Sequence, residues 1–182
     1  IHLQAFKNNK PYFCVLDFPL ANHKAIDATV SYESDYNKWY TAGGEQALVD
    51  GKLGTFDFRD GNWQGFWGND ARVKLSFEEV QSSKEVRVNT YQYNNSWIFI
   101  PTQIELIYSA DGRTWNSFGP TIPSNVDPKK RGKFIHEFII SSAEEVKFKY
   151  LKLQVKNLGK VPEWHEAAGS DAWIFIDEIQ VK

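Results

Sequence analysis

No segment of this chain repeats its apolar residues at the helical spacing of i, i+3, i+4 and i+7 over a helix's length. Apolar residues alternate with polar ones instead, in short runs broken by Gly, Asp and Pro. In ARVKLSF the side chains of Val73, Leu75 and Phe77 share one face, and in EVRVNTYQY so do those of Val86 and Val88. TQIELIYSADGRTW puts Ile104, Leu106 and Tyr108 on one face, turns at Asp111-Gly112 and continues to Trp115. Asp-Gly between two such runs is a hairpin signal, because the turn needs positive φ. KFIHEFIIS, YLKLQVKN and WIFIDEIQVK read as further strands, some apolar on both faces as strands covered on both sides are. One helical turn is expected, near Glu45 to Val49. Many short strands with Gly, Pro and Asp turns predict an all-β antiparallel sandwich or jelly roll.

The length of 182 residues favours one domain with an appended segment. Residues 1–27 differ from the rest: FKNNKPYF reads as a turn between two short strands, and FPLANHKAID as a connector. The main domain is expected over 28–182. The formal net charge is -2 with the signs interspersed, so no nucleic-acid partner is expected; phosphate binding needs a clustered basic face. The one basic run, Lys129-Lys130-Arg131, reads as a solvated turn. No stretch is apolar for long enough to span a bilayer, and no membrane insertion is expected. The sequence contains no Met, as expected of a processed product or of a piece cut from a longer chain. The lone cysteine, Cys14, excludes an intrachain disulfide and sits in the apolar run YFCVLDF, where a buried small side chain is expected. WHEAAG has Gly169 where the second His of H-E-x-x-H would stand, which excludes that zinc chemistry.

The stretch GGEQALVDGKLGTFDFRDGNWQGFWG, residues 43–68, is too glycine-rich for a helix and too polar for a buried strand. It gathers carboxylates, an arginine and two tryptophans. Together with WIFIPTQIELIYSADGRTW and GKVPEWHEAAGSDAWIFIDEIQV it resembles the discoidin-like, coagulation factor V/VIII type C family, which overlaps carbohydrate-binding module family 32. More narrowly, it is similar to the version appended to family 20 glycoside hydrolases, the chitobiases and β-hexosaminidases of Bacteroides-type bacteria. The likeness covers about residues 24–182. ALVDG, S-x-DG-x-x-W and a terminal IDEI are specific in combination and weak singly.

The resemblance implies an eight-stranded antiparallel jelly-roll sandwich that does no chemistry, with a structural calcium near one end and ligand-binding loops at that end. Calcium takes six to eight oxygen ligands. The pattern A-x-x-D-G-x-x-x-T and the last-strand Glu match Ala47, Asp50, Lys52, Thr55 and Glu178, with the Asp177 carbonyl nearby. Such a site would pin a long loop to the last strand, a closure otherwise costly in chain entropy. Without a metal, Asp50 is a turn residue before Gly51.

A sugar has an apolar face and a rim of hydroxyls. A protein holds it by placing an aromatic ring under the face and polar side chains at the rim, the charged ones making the stronger bonds. Three loops offer that combination: Asp57, Arg59, Asp60, Trp63 and Trp67; then Tyr93, Asn94, Asn95 and Trp97; then Glu163, Trp164, His165, Glu166, Asp171 and Trp173. The resemblance implies a core role for Trp63, which falls where that family has a core Trp; Trp173 enters an apolar strand and reads as core, and Trp115 as packed on a sheet edge. The binding candidates are Arg59, Asp60, Trp67, Asn95, Trp97, Glu163, Trp164 and His165, with Trp39 as an outsider. For His165 the alternative is a structural hydrogen bond within its loop.

Three functions follow. The first is a carbohydrate-binding module that tethers a secreted, periplasmic or cell-surface hydrolase to glycans containing galactose or N-acetylhexosamine. The second is a structural domain that packs on the hydrolase catalytic domain. The third is an independent glycosidase, which needs two carboxylates at a set separation.

Overall fold

A computed structural model of the chain describes residues 3–7, 10–14, 20–26 and 28–182, with the side chains of 3–7 and 10–14 outside the description. The packing expected of Cys14 and most of the connector therefore lie outside the described residues. The strands β1 (Leu3–Lys7) and β2 (Lys10–Cys14) pair antiparallel, as FKNNKPYF predicts.

The domain is all-β and antiparallel, as the sequence predicts. Its strands are β3 (Thr29–Tyr32), β4 (Gln64–Trp67), β5 (Ala71–Gln92), β6 (Gln103–Ser109), β7 (Asn116–Ser117), β8 (Ile122–Pro123), β9 (Phe134–Lys156) and β10 (Trp173–Val181). Sequence reading divides β5 and β9 into shorter strands, and the structure joins them. Each runs the length of the molecule, and their pairing slips between Ser76 and Gln81 and again between Ser83 and Glu85. Such irregularities bend a ribbon and increase its twist. On one side of the bend, the first half of β5 and the second half of β9 pair with β3 and β6. On the other side, the remaining halves continue into β10 and β4. One eight-stranded hydrogen-bonded network thus folds over on itself as a sandwich. Between the layers Val73, Leu75, Val86, Val88, Leu106, Ile140, Leu153 and Ile176 form one core.

Every residue of β10 is buried. One face holds Ile174, Ile176, Ile179 and Val181 in the core. Residues 40–63 cover the other face, with Tyr40 and Phe58 4.8 and 5.7 Å from the Phe175 ring. The glycine-rich stretch is therefore a lining laid on the last strand. Its one helical turn, Ala47–Val49, is 3₁₀ and buried. Gly54 lies so close to Trp63 that a Cβ would overlap the indole, so only glycine fits there.

Candidate functional site

In a regular strand Asp177 and Glu178 would face opposite ways. The β10–β5 register shifts between Ile176 and Ile179, and both of those isoleucines stay in the core. The shift leaves both acids to meet residues outside the core. Asp177 Oδ2 accepts from the Gly54 N–H at 2.9 Å, and Glu178 Oε2 accepts from the Gly51 N–H at 3.1 Å. Glu178 Oε1 lies 2.9 Å from His23 Nε2, with both side chains fully buried. The Ala25 N–H donates to His23 Nδ1, so Nε2 carries the proton and donates to Glu178. Burial pushes Asp177 up to about 8 and Glu178 up to about 9, and it pushes His23 down to about 4. The contact is a hydrogen bond from a neutral imidazole rather than an ion pair.

The expected calcium ligands meet where one loop lies against β10, and the side chains of Asp50, Thr55 and Glu178 there each accept an N–H. Asp50 Oδ1 accepts from the Lys52 N–H at 2.9 Å, and Asp50 Oδ2 lies 2.6 Å from Lys52 Nζ. The Thr55 carbonyl accepts from Trp63 Nε1, and its hydroxyl accepts from the Asp57 N–H. Asp177 Oδ1 is buried without a partner. No three His, Cys, Asp or Glu side chains among the described residues converge as a metal cluster. The side-chain oxygens of Asp50, Thr55 and Glu178 thus accept N–H donors, and calcium at Ala47, Asp50, Lys52, Thr55, Asp177 and Glu178, which would also draw on main-chain carbonyls, stands as a proposal that the resemblance carries. The loop is held by N–H donors, and the ammonium of Lys52 pairs with Asp50 at its surface.

The expected sugar residues separate into two neighbouring cavities at the end of the sandwich where β5 ends and β9 and β10 begin. The first, of about 400 Å³, is aromatic and includes Trp39, Tyr40, Trp67, Trp97 and Trp173 among its walls. Trp67 and Trp173 sit opposite each other on β4 and β10, and their rings stack at 5.6 Å with planes 13° apart. Trp67 Nε1 donates to the Asp171 carbonyl at 3.0 Å, which fixes the ring and leaves it 44% exposed. Trp173, expected in the core, is buried yet also walls this cavity. Trp39, the outsider, is the most exposed tryptophan of the site at 69%.

The second cavity, of about 320 Å³, is polar and lined by Asn94, Asn95, Arg131, Trp164, His165 and Glu166. The Asn94 and Gln92 amides both donate to the Lys130 carbonyl, which docks the basic loop at the cavity edge. His165 keeps to its structural role. Its Nε2 donates to the Asn94 carbonyl at 2.9 Å, and its Nδ1 accepts from the Ala167 N–H at 3.1 Å. Neither ring nitrogen is left for a ligand.

Arg59 is in neither of these cavities. It lines a third, of about 380 Å³, with Trp39 and Tyr40, and its Nε donates to Asp57. Asp60 accepts from the Thr55 and Asn62 N–H groups as a turn residue, and with Glu163 it lines none of the three. Trp63 is core, as expected. Sequence reasoning missed Arg131, Tyr40 and Phe58. Arg131 sat in a run with every mark of a solvated turn, and only its distance in sequence from Asn94 and Trp164 concealed the cavity they share.

No protein-family profile and no curated protein sequence matches the chain. Its fold is shared with solved carbohydrate-binding structures. A family 32 carbohydrate-binding module from Streptococcus pneumoniae EndoD superposes with a TM-score of 0.60 at 10% identity, over 88% of this chain and 99% of that one. Chitosan-binding module 1 of a chitosanase/glucanase from Paenibacillus sp. IK-5 gives 0.54 at 12%, over 89% and 99%. A fucose-binding module of S. pneumoniae, SpX-3, gives 0.53 at 10%, over 89% and 98%. The chain also matches 28% of a larger Bacteroides thetaiotaomicron protein assigned as an alpha-L-fucosidase, at a TM-score of 0.52 and 14% identity. At these identities the likeness establishes a common discoidin-like sandwich fold.

Proposed function

We propose that this chain is a non-catalytic carbohydrate-binding module that tethers a glycoside hydrolase to glycans bearing galactose or N-acetylhexosamine. The observation that carries the reading is the clustering of exposed Trp39, Trp67 and Trp164 at one end of the sandwich, beside a cavity rimmed with amides, Arg131 and Glu166. The fold shared with modules named for chitosan and fucose binding supports it. The motif likeness points to a chitobiase or β-hexosaminidase of family 20 as the parent, and hence to a secreted, periplasmic or cell-surface address. Ring stacking with a few exposed hydrogen bonds suits affinities from millimolar to micromolar, roughly -4 to -8 kcal/mol.

A second reading is favoured by the exposed rings of Phe56, at 60%, Trp39, Trp67 and Trp164: these rings pack on the parent's catalytic domain. An NMR and tryptophan-fluorescence titration with galactose, N-acetylglucosamine and N-acetylgalactosamine decides between the two. Saturable shifts at Trp67, Trp97 or Trp164 are expected. Silence at tens of millimolar of every sugar overturns the binding reading in favour of packing.

A further inference from the structure

Resting on the carbohydrate reading, we infer that the aromatic and polar cavities are two subsites for one chain, so that the ligand is an oligosaccharide rather than a single sugar. The cavities share a wall. The residues from Tyr93 to Ile98 form a tight turn, with hydrogen bonds between the Tyr93 and Ile98 backbones in both directions. Asn94 and Asn95 of this turn face the polar cavity, and Ser96 and Trp97 face the aromatic one. Trp97 stands at the divide with φ of 61°, a left-handed conformation that a bulky side chain rarely adopts and that its surroundings must enforce. Its ring packs against the cluster of Trp173 and Phe175 on one side and that of Phe99 and Val161 on the other.

The chemistry of the two cavities is complementary. The aromatic one offers ring faces with few polar side chains at the rim, so it can stack a sugar without reading its hydroxyls. The polar one offers Asn95, Arg131 and Glu166 with a single ring, Trp164, so it can read hydroxyls but stack little. Each is near the lower end of the range for small-ligand pockets, about 300–1,000 Å³. One monosaccharide cannot use both sets of contacts. A linked chain crossing the turn can, and the linkage converts its second contact into an intramolecular one.

The test is isothermal titration of the chain with the mono- to tetrasaccharides of N-acetylglucosamine and, in parallel, with galactose and β-linked galacto-oligosaccharides. In one series the tetrasaccharide is expected to bind at least about tenfold tighter than its monosaccharide, at one ligand per chain. Trp67→Ala and Trp39→Ala, the latter at the more exposed ring, should bring that ratio toward one, and Arg131→Ala should weaken every length. Binding of equal strength at all lengths, or two oligosaccharides per chain, overturns the two-subsite inference and leaves the carbohydrate reading standing. No binding at any length in either series overturns both.

Discussion

Replacing His23 by alanine tests how the loop over β10 is held. His23 and Glu178 are both fully buried, and their 2.9 Å bond joins the segment before β3 to the last strand. Removal of the imidazole leaves a buried carboxyl oxygen without its donor, a loss of about 1–3 kcal/mol. The space left by the ring adds a cavity cost, so the total is about 2–4 kcal/mol. For a chain of this size, each kcal/mol moves the midpoint by roughly 2–4 °C. A fall of roughly 4–16 °C is therefore expected in a thermal melt followed by tryptophan fluorescence. His23→Gln, which retains an N–H donor, should recover part of it. If the N–H bonds to Asp50 and Glu178 hold the loop by themselves, a chelator leaves the native midpoint unchanged. A site occupied at a hundred times its dissociation constant would instead add about 2.7 kcal/mol. The reasoning fails if His23→Ala stays within about 0.5 kcal/mol of native, or if millimolar calcium raises the native midpoint by several degrees.

Other outcomes follow from single contacts. Gly54→Ala forces a methyl into the Trp63 ring and should cost about 1–3 kcal/mol in urea unfolding, with the Trp63 emission shifted. The buried Tyr91 hydroxyl donates to the Phe56 carbonyl at 2.7 Å, so Tyr91→Phe should cost about 1 kcal/mol. Burial pushes Tyr91 up to about 12; the stability this brings is complete below the ordinary value near 10 and is lost as pH rises through 12. Alkaline unfolding of the native chain should therefore be steeper than that of Tyr91→Phe. Asp111 accepts from the Arg113 and Thr114 N–H groups and from Ser109, which hold its carboxyl below the usual range. Its contribution is present above the ordinary carboxylate value and lost as pH falls through the lowered one. Melting points from pH 6 to pH 2 should thus fall less for Asp111→Asn than for the native chain.

The sequence by itself determined the strand content, the antiparallel class and most of the core. Alternation at Val73 and Leu75, at Val86 and Val88, and at Leu151 and Leu153 is a local property, since a strand's two faces are written at a period of two. The hairpin at Asp111-Gly112 was legible for a similar local reason, and the burial of Trp63 from the family resemblance. Tertiary structure decided the rest. Nothing near Asp177 and Glu178 announces the register shift that frees both acids from the core, because a bulge is fixed by pairing with β5. The engagement of Glu178 by His23 joins residues 155 positions apart. His165 reads as a ligand group until the Asn94 carbonyl and the Ala167 N–H consume both its nitrogens. Arg131 is exposed in its turn, as read, and what the sequence does not show is that Gln92 and Asn94 dock that turn at a cavity Arg131 lines. A side chain's type states which bonds it can form. Which of them remain for a ligand depends on partners that distant parts of the chain bring within 3 Å.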